Sequence, residues 1–292
     1  MACQLASYFM TSTNQEYTTI IKPVSGWFDF HLAELWRYRD LILLFVRRDF
    51  VAVYKQTILG PVWFFIQPIF TTIIFTIIFG RVAKIPTDQL PGPLFYLSGI
   101  VAWNYFAACL NKTSDTFVGN AGIFGKVYFP RLVVPIAVVI NALIAFGIQL
   151  LLLVSLMFYY SFQGMGFTPS RMVLLLPLLI LQMAVLGLGC GIVVSSLTTK
   201  YRDLIQLVGF GVQLWMYATP IFYPISILSP RWQRLLSLNP MAPIIETFRN
   251  ALLGAGMIHS TTILVSIAVT LVVFFIGLLL FSRIEKSFMD TV

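Results

Sequence analysis

The chain is poor in charge. Of its 292 residues only 10% are Asp, Glu, Lys or Arg, against about a quarter in a globular domain that must keep its surface wet. With 59% hydrophobic residues and a mean hydropathy of +0.88, a soluble enzyme is excluded and lipid is the expected solvent. Cysteine is scarce: Cys3, Cys109 and Cys190 are scattered, the last two within apolar runs, so neither a disulfide framework nor a metal cluster is supported. Histidine is scarcer still, with only His31 and His259. A nucleotide pocket is missing as well. The glycine run Gly119, Gly122, Gly125 and Lys126 has Asn120 where a P-loop needs Gly and Val127 where it needs the magnesium-binding Ser or Thr. The first 30 residues hold no continuous apolar stretch with a small-residue cleavage site, so a removable signal peptide is not expected.

Apolar runs are what the chain has. A hydrocarbon core about 30 Å thick takes about 20 helical residues, and six runs approach that length, near 62–80, 94–110, 133–159, 172–197, 204–221 and 262–281. The expected fold class is therefore an all-α integral membrane protein with six transmembrane helices. Pro68, Pro135 and Pro177 lie within the runs and are expected to mark kinks. No Asp or Glu falls inside any run, so the intramembrane carboxylates usual in ion-coupled carriers are missing. Uphill transport would need energy from a cytoplasmic partner. The excess of basic over acidic residues, 19 against 11, comes without a nucleic-acid motif and fits membrane topology. Thirteen of the nineteen fall in the amino-terminal tail, the loops after the second and fourth runs, and the carboxyl tail. Both termini are expected in the cytoplasm.

Four regions follow: a polar extension, 1–30; an amphipathic interface helix, 31–60; a six-helix domain, 61–285; and a short tail, 286–292. In the second, Ile42, Val46, Phe50 and Val53 recur at helical spacing opposite Arg48, Lys55 and Gln56, the pattern of a helix lying along the membrane surface. It reads as an anchor or as part of a gate. Gly60 and Pro61 then turn the chain into the first span. Segment 111–131 is too polar to span and long enough for one short helix, a connector or a docking element. Outside the membrane, Pro224, Pro230, Pro240 and Pro243 divide 223–260 into pieces near 230–238 and 243–253. These suit interfacial or re-entrant helices, a lid with Pro230, Arg231 and Arg234 as outer gate. Glu246 and Arg249, three apart, read as a surface ion pair. Aromatic residues make up 15% of the chain. Trp63, Phe64, Trp103, Tyr105, Trp215, Tyr217 and Tyr223 fit either a headgroup belt or a channel wall on which sugar rings slide by weak stacking.

Several segments together resemble the permease subunit of type-2 ABC exporters for cell-surface polysaccharide, which serve O-antigen, teichoic acid and capsule. They are Arg48-Asp49-Phe50, Tyr54 to Gly60 and Trp63; Leu97-Ser98-Gly99 to Trp103; Lys126-Val127-Tyr128-Phe129-Pro130-Arg131; Tyr201-Arg202-Asp203; Thr219-Pro220-Ile221-Phe222-Tyr223-Pro224; and Leu238-Asn239-Pro240-Met241 with Arg249. The likeness spans about residues 31–285, and the polar start departs from it. It implies a homodimer in a bacterial inner membrane, paired with two copies of a cytoplasmic ATPase that binds ATP and Mg, with no cofactor on this chain. The cargo implied is a lipid-linked glycan, O-antigen above the others. It also implies that Lys112, Asp115, Lys126, Tyr128, Arg131, Tyr201, Arg202 and Asp203 couple to the ATPase. Arg47, Arg48, Lys55 and Arg131 are then placed to gather a polyprenyl diphosphate at headgroup level. Two rivals remain: a drug or small-lipid exporter of the same class, and a membrane glycosyl- or phosphotransferase. The second would need clustered carboxylates or histidines, and here the acidic residues are isolated.

Overall fold

In lipid, a backbone satisfies its own polar groups by forming helices. The computed structural model describes residues 32–55, 60–124, 126, 127, 129–165, 170–198, 201, 203–256 and 259–288, and contains no strand among them. The polar extension lies outside the described residues. Two helices, α1 (Leu32–Arg37) and α2 (Arg39–Lys55), precede a turn at Gly60–Val62. Gly60 takes φ 47° there, a left-handed conformation that glycine adopts without a Cβ clash. Next come α3 (Trp63–Phe75), which continues as a π-helical stretch to Val82, and α4 (Gly92–Ser114). Two single turns follow, α5 (Thr116–Gly119) and α6 (Ala121–Phe124), where one short helix was expected; then α7 (Val133–Phe162). A 3-10 turn at Arg171–Leu175 leads into α8 (Leu176–Thr198), followed by α9 (Leu204–Tyr217), α10 (Pro230–Leu236), α11 (Met241–Leu253) and α12 (Ser260–Phe288).

Five of these helical stretches are long and apolar enough to cross a membrane: Trp63–Val82, Gly92–Ser114, Val133–Phe162, Arg171–Thr198 and Ser260–Ile284. The expected span at 204–221 is shorter. α9 ends at Tyr217, because Pro220 carries no N–H and restrains Thr219 before it. Fourteen helical residues rise about 21 Å. Pro68 stands inside α3, but Pro135 lies in the first turn of α7. In that turn the missing N–H has no intrahelical partner to lose, so the proline removes no helical hydrogen bond there.

α4 is the axis of the molecule, packed against α8, α7, α3, α11 and α9, while α12 packs on the far side of α8. Small residues make this close approach possible. A Cβ on Gly187 would fall 2.7 Å from the Cys109 Cβ, and one on Gly191 would fall 2.5 Å from the Thr113 Cβ. On the opposite face of α8, a Cβ on Gly189 would meet the Phe274 Cα at 2.9 Å. Gly189→Val should therefore force α8 from α12 and destabilise the protein by about 1–3 kcal/mol or more. The measurement is thermal unfolding in detergent; an unchanged midpoint would show the helices less tightly fixed than this.

A second apolar cluster gathers Phe45 and Val46 of α2, Phe117, Phe124, Phe129, the start of α7, Ile192 of α8 and Phe281 of α12. It places the amino-terminal helices, the 111–131 segment and the end of α12 at one end of the bundle. The buried face of α2 is centred on Phe45 and Val46, with Ile42 and Phe50 half-buried and Leu43 and Leu44 exposed. This turns the helix somewhat from the face its spacing suggested. The side chain of Val53, and all of Gln56, lie outside the described residues.

Candidate functional site

A cavity of ≈ 390 Å³ opens between α3, α4, α7 and α9. Carboxamides reach it from all four helices: Gln67, Asn104 and Asn111, Asn141 and Gln149, and Gln213. Each helix brings them round at helical spacing, as in Asn104, Ala107, Ala108 and Asn111, or Asn141, Ala145 and Gln149. Asn104 Nδ2 donates to Gln149 Oε1 at 3.2 Å, near the middle of both helices. The side-chain amides of Gln67, Asn111, Asn141 and Gln213 have no hydrogen-bond partner among the described residues. Phe64, Trp103 and Tyr105 stand in the wall, and among the described residues Lys112 is its one charged member. This chemistry offers hydrogen bonds in many directions, ring faces and a single positive charge.

A second polar assembly lies at the other end, built around a fully buried arginine. Arg249 Nη1 donates to Glu246 Oε1 at 3.1 Å, Nη2 to the Pro220 carbonyl at 3.3 Å and Nε to Ser98 Oγ at 3.4 Å. Its guanidinium lies 3.7 Å from the centre of the Phe95 ring. Glu246 is as deeply enclosed, so the expected surface ion pair is instead a buried one. The reason is that Met241 to Arg249 are buried all round α11, which packs on α4, α8 and α12. Burial lowers the Arg249 guanidinium below its ordinary pKa, while the charges of Glu246 and then Asp88 hold it up. Asn239 extends the assembly, accepting from Trp215 Nε1 and from the Met241 amide, both at 3.0 Å, and donating to Thr219 Oγ1 at 3.0 Å. Gln182 Nε2 reaches Ser266 Oγ at 2.8 Å, and Ser266 donates to the Pro240 carbonyl at 2.7 Å. Sequence pieces as far apart as Ser98, Pro220, Asn239 and Arg249 thus meet in one network.

The remaining predicted residues are placed as follows. Arg47, Arg48 and Lys55 are exposed on α2, Arg48 lying over the Phe45 ring and 2.7 Å from Asp49 Oδ1. Lys112 and Asp115 are exposed at the end of α4, and Lys126 beyond α6. Arg131 is buried with its guanidinium over the Phe124 ring. Tyr201 and Asp203 are exposed just before α9; Tyr128 and Arg202 lie outside the described residues. Trp63 and Tyr217 are exposed, Trp215 and Tyr223 half-buried, and burial pushes the Tyr223 phenol up. Trp215 meets Trp103 and Phe106 edge-on. Pro230, Arg231 and Arg234 are exposed on the seven-residue α10.

The family of ABC-2 type transporters matches residues 40–253, most of the helical bundle. The chain belongs to that family. As an ABC-2 transporter it has similar relatives over nearly its whole length. The O-antigen export system permease protein RfbA of Klebsiella pneumoniae is 27% identical, covering 86% of this chain and 94% of its own. The protein of that name in Myxococcus xanthus is 25% identical, covering 89% and 98%. The polysialic acid transport protein KpsM of Escherichia coli is 23% identical, covering 80% and 89%. This ABC-2 transporter is accordingly a multi-pass membrane protein of a transport family. Sequence reasoning missed its cavity amides; their signal was Asn and Gln recurring on one face of otherwise apolar helices.

Proposed function

We propose that this ABC-2 transporter is the membrane subunit of an ATP-driven exporter of cell-surface polysaccharide. The observation that carries the reading is similarity, along most of both chains, to proteins named for O-antigen export and polysialic acid transport. The cavity chemistry supports it: carboxamides and aromatic rings, with no carboxylate among the described residues, suit polyhydroxylated cargo better than a cationic drug. A further relative, 23% identical and named inner membrane transport permease YadH, of Escherichia coli, carries no cargo in its name.

In this reading two copies of the chain pair with two copies of a cytoplasmic ABC ATPase, which binds ATP and Mg. α9 with the residues after it completes a sixth crossing in a bacterial inner membrane, and both termini face the cytoplasm. α2 lies along that face as an interface helix, its basic residues Arg47, Arg48 and Lys55 attracting the diphosphate of a polyprenyl-linked glycan such as O-antigen. The exposed Lys112, Asp115 and Lys126, with Tyr201 and Asp203 near α9, meet the ATPase. Closure of the ATPases on ATP is transmitted through α5 and α6 to the spans, which part and let lipid head and glycan enter. α10, with Arg231 and Arg234, caps the outer mouth. Deletion of the gene should leave lipid-linked glycan inside the cell and strip it from the surface. The purified chain should bring down an ATPase whose turnover rises with lipid-linked glycan. Normal surface glycan in the deletion strain would refute the cargo.

A further inference from the structure

Resting on the glycan cargo proposed above, we infer that the cavity between α3, α4, α7 and α9 is a recognition subsite for a single sugar residue, contained within one protomer. Its ≈ 390 Å³ lies near the small end of ligand pockets, about 300–1,000 Å³, and has room for one pyranose ring. Gln67, Asn111, Asn141 and Gln213 hold side-chain amides with no hydrogen-bond partner among the described residues, and they converge on this space from four different helices. Asn141 lies about two turns into the apolar helix α7. Gln67, Asn111 and Gln213 are exposed and Asn141 is half-buried, so these amides face the open cavity with donors and acceptors available to a polar occupant. A pyranose is one: its hydroxyls donate and accept in several directions, as carboxamides do, and its C–H face lies against Trp103 or Phe64. The Asn104 to Gln149 hydrogen bond fixes the floor of the site. Among the described residues Lys112, exposed at the end of α4, is the only charge at the cavity's edge, so the subsite takes a neutral or anionic sugar and rejects a cation.

The test uses the full-length chain in lipid nanodiscs, titrated with the methyl pyranosides of glucose, galactose, mannose, rhamnose and N-acetylglucosamine. Tryptophan emission is the readout, because Trp103 is in the wall. At least one pyranoside should give a saturable change, and the double variant Asn141→Leu/Gln213→Leu should weaken it about tenfold or more. Tetraphenylphosphonium should not compete. A whole panel without saturable binding to the wild type, unchanged affinity in the variant, or competition by the cation each overturns the subsite. The wild-type titration decides this whether or not the variant folds. The deletion strain separates the two readings: a silent panel together with trapped lipid-linked glycan removes the subsite alone, whereas normal export in that strain removes the cargo beneath it.

Discussion

Arg249→Leu should leave little folded protein in the membrane. The substitution strips three hydrogen bonds from one site and leaves Glu246, 2% exposed, without its counter-charge. Removing one partner of a buried ion pair costs about 3–5 kcal/mol, against a total stability of about 5–15 kcal/mol for a typical domain. Arg249→Lys should rescue only part of the loss, since an ammonium lacks the planar fork that reaches Glu246, Pro220 and Ser98 together. The informative variant is the double one. Glu246→Leu/Arg249→Leu removes both charges, and it should melt at a higher temperature than Arg249→Leu alone because no uncompensated charge remains. Unfolding in detergent, followed by size-exclusion yield, checks the series. A double variant no more stable than the single one would show that the guanidinium works through its carbonyl and hydroxyl partners and not through the charge pair.

The same arginine shows what a sequence can and cannot disclose. Five spans were legible as runs of apolar residues because lipid imposes helix on any such run. The ends of those helices were less so: α12 continues to Phe288 and α9 stops at Tyr217, where local proline chemistry and tertiary support decide. The spacing of Glu246 and Arg249 gave the pair, and Gly254, at φ 71°, closes α11 at the expected place. Spacing could not give burial. Helical charge pairs are read as solvated by default, but α11 has neighbours on every side, and only the packing of α4, α8 and α12 around it reveals that. Arg131 carries the same lesson: its expected roles at the ATPase and the headgroups need an accessible guanidinium, while the side chain is buried over the Phe124 ring. The cavity amides were visible as letters, yet four helices had to be assembled before Gln67, Asn141 and Gln213 faced one space.

Phe124→Ala should reduce export far more than it reduces ATP hydrolysis. A chain of rings crosses the termini end of the bundle: Phe45 to Phe129 at 5.6 Å, Phe129 to Phe124 at 5.6 Å, Phe124 to Phe117 at 6.1 Å and Phe117 to Phe281 at 4.8 Å. It joins α2, the segment between α4 and α7, and α12, so a push on that segment reaches three elements through close-packed, poorly compressible contacts. Truncating the middle ring leaves a void and uncovers the Arg131 guanidinium. Such losses cost about 3–5 kcal/mol in a packed core, here concentrated where the proposed ATPase docks. The ATP sites lie on the other polypeptide in this reading, so hydrolysis should persist while lipid-linked glycan stays inside. Phe124→Leu keeps most of the volume and should restore most of the coupling. Reconstituted complexes measured for both turnover and glycan movement separate the outcomes. Equal loss of the two activities in Phe124→Ala would mean that the rings hold the subunits together, and unchanged export would mean that motion takes another route across the interface.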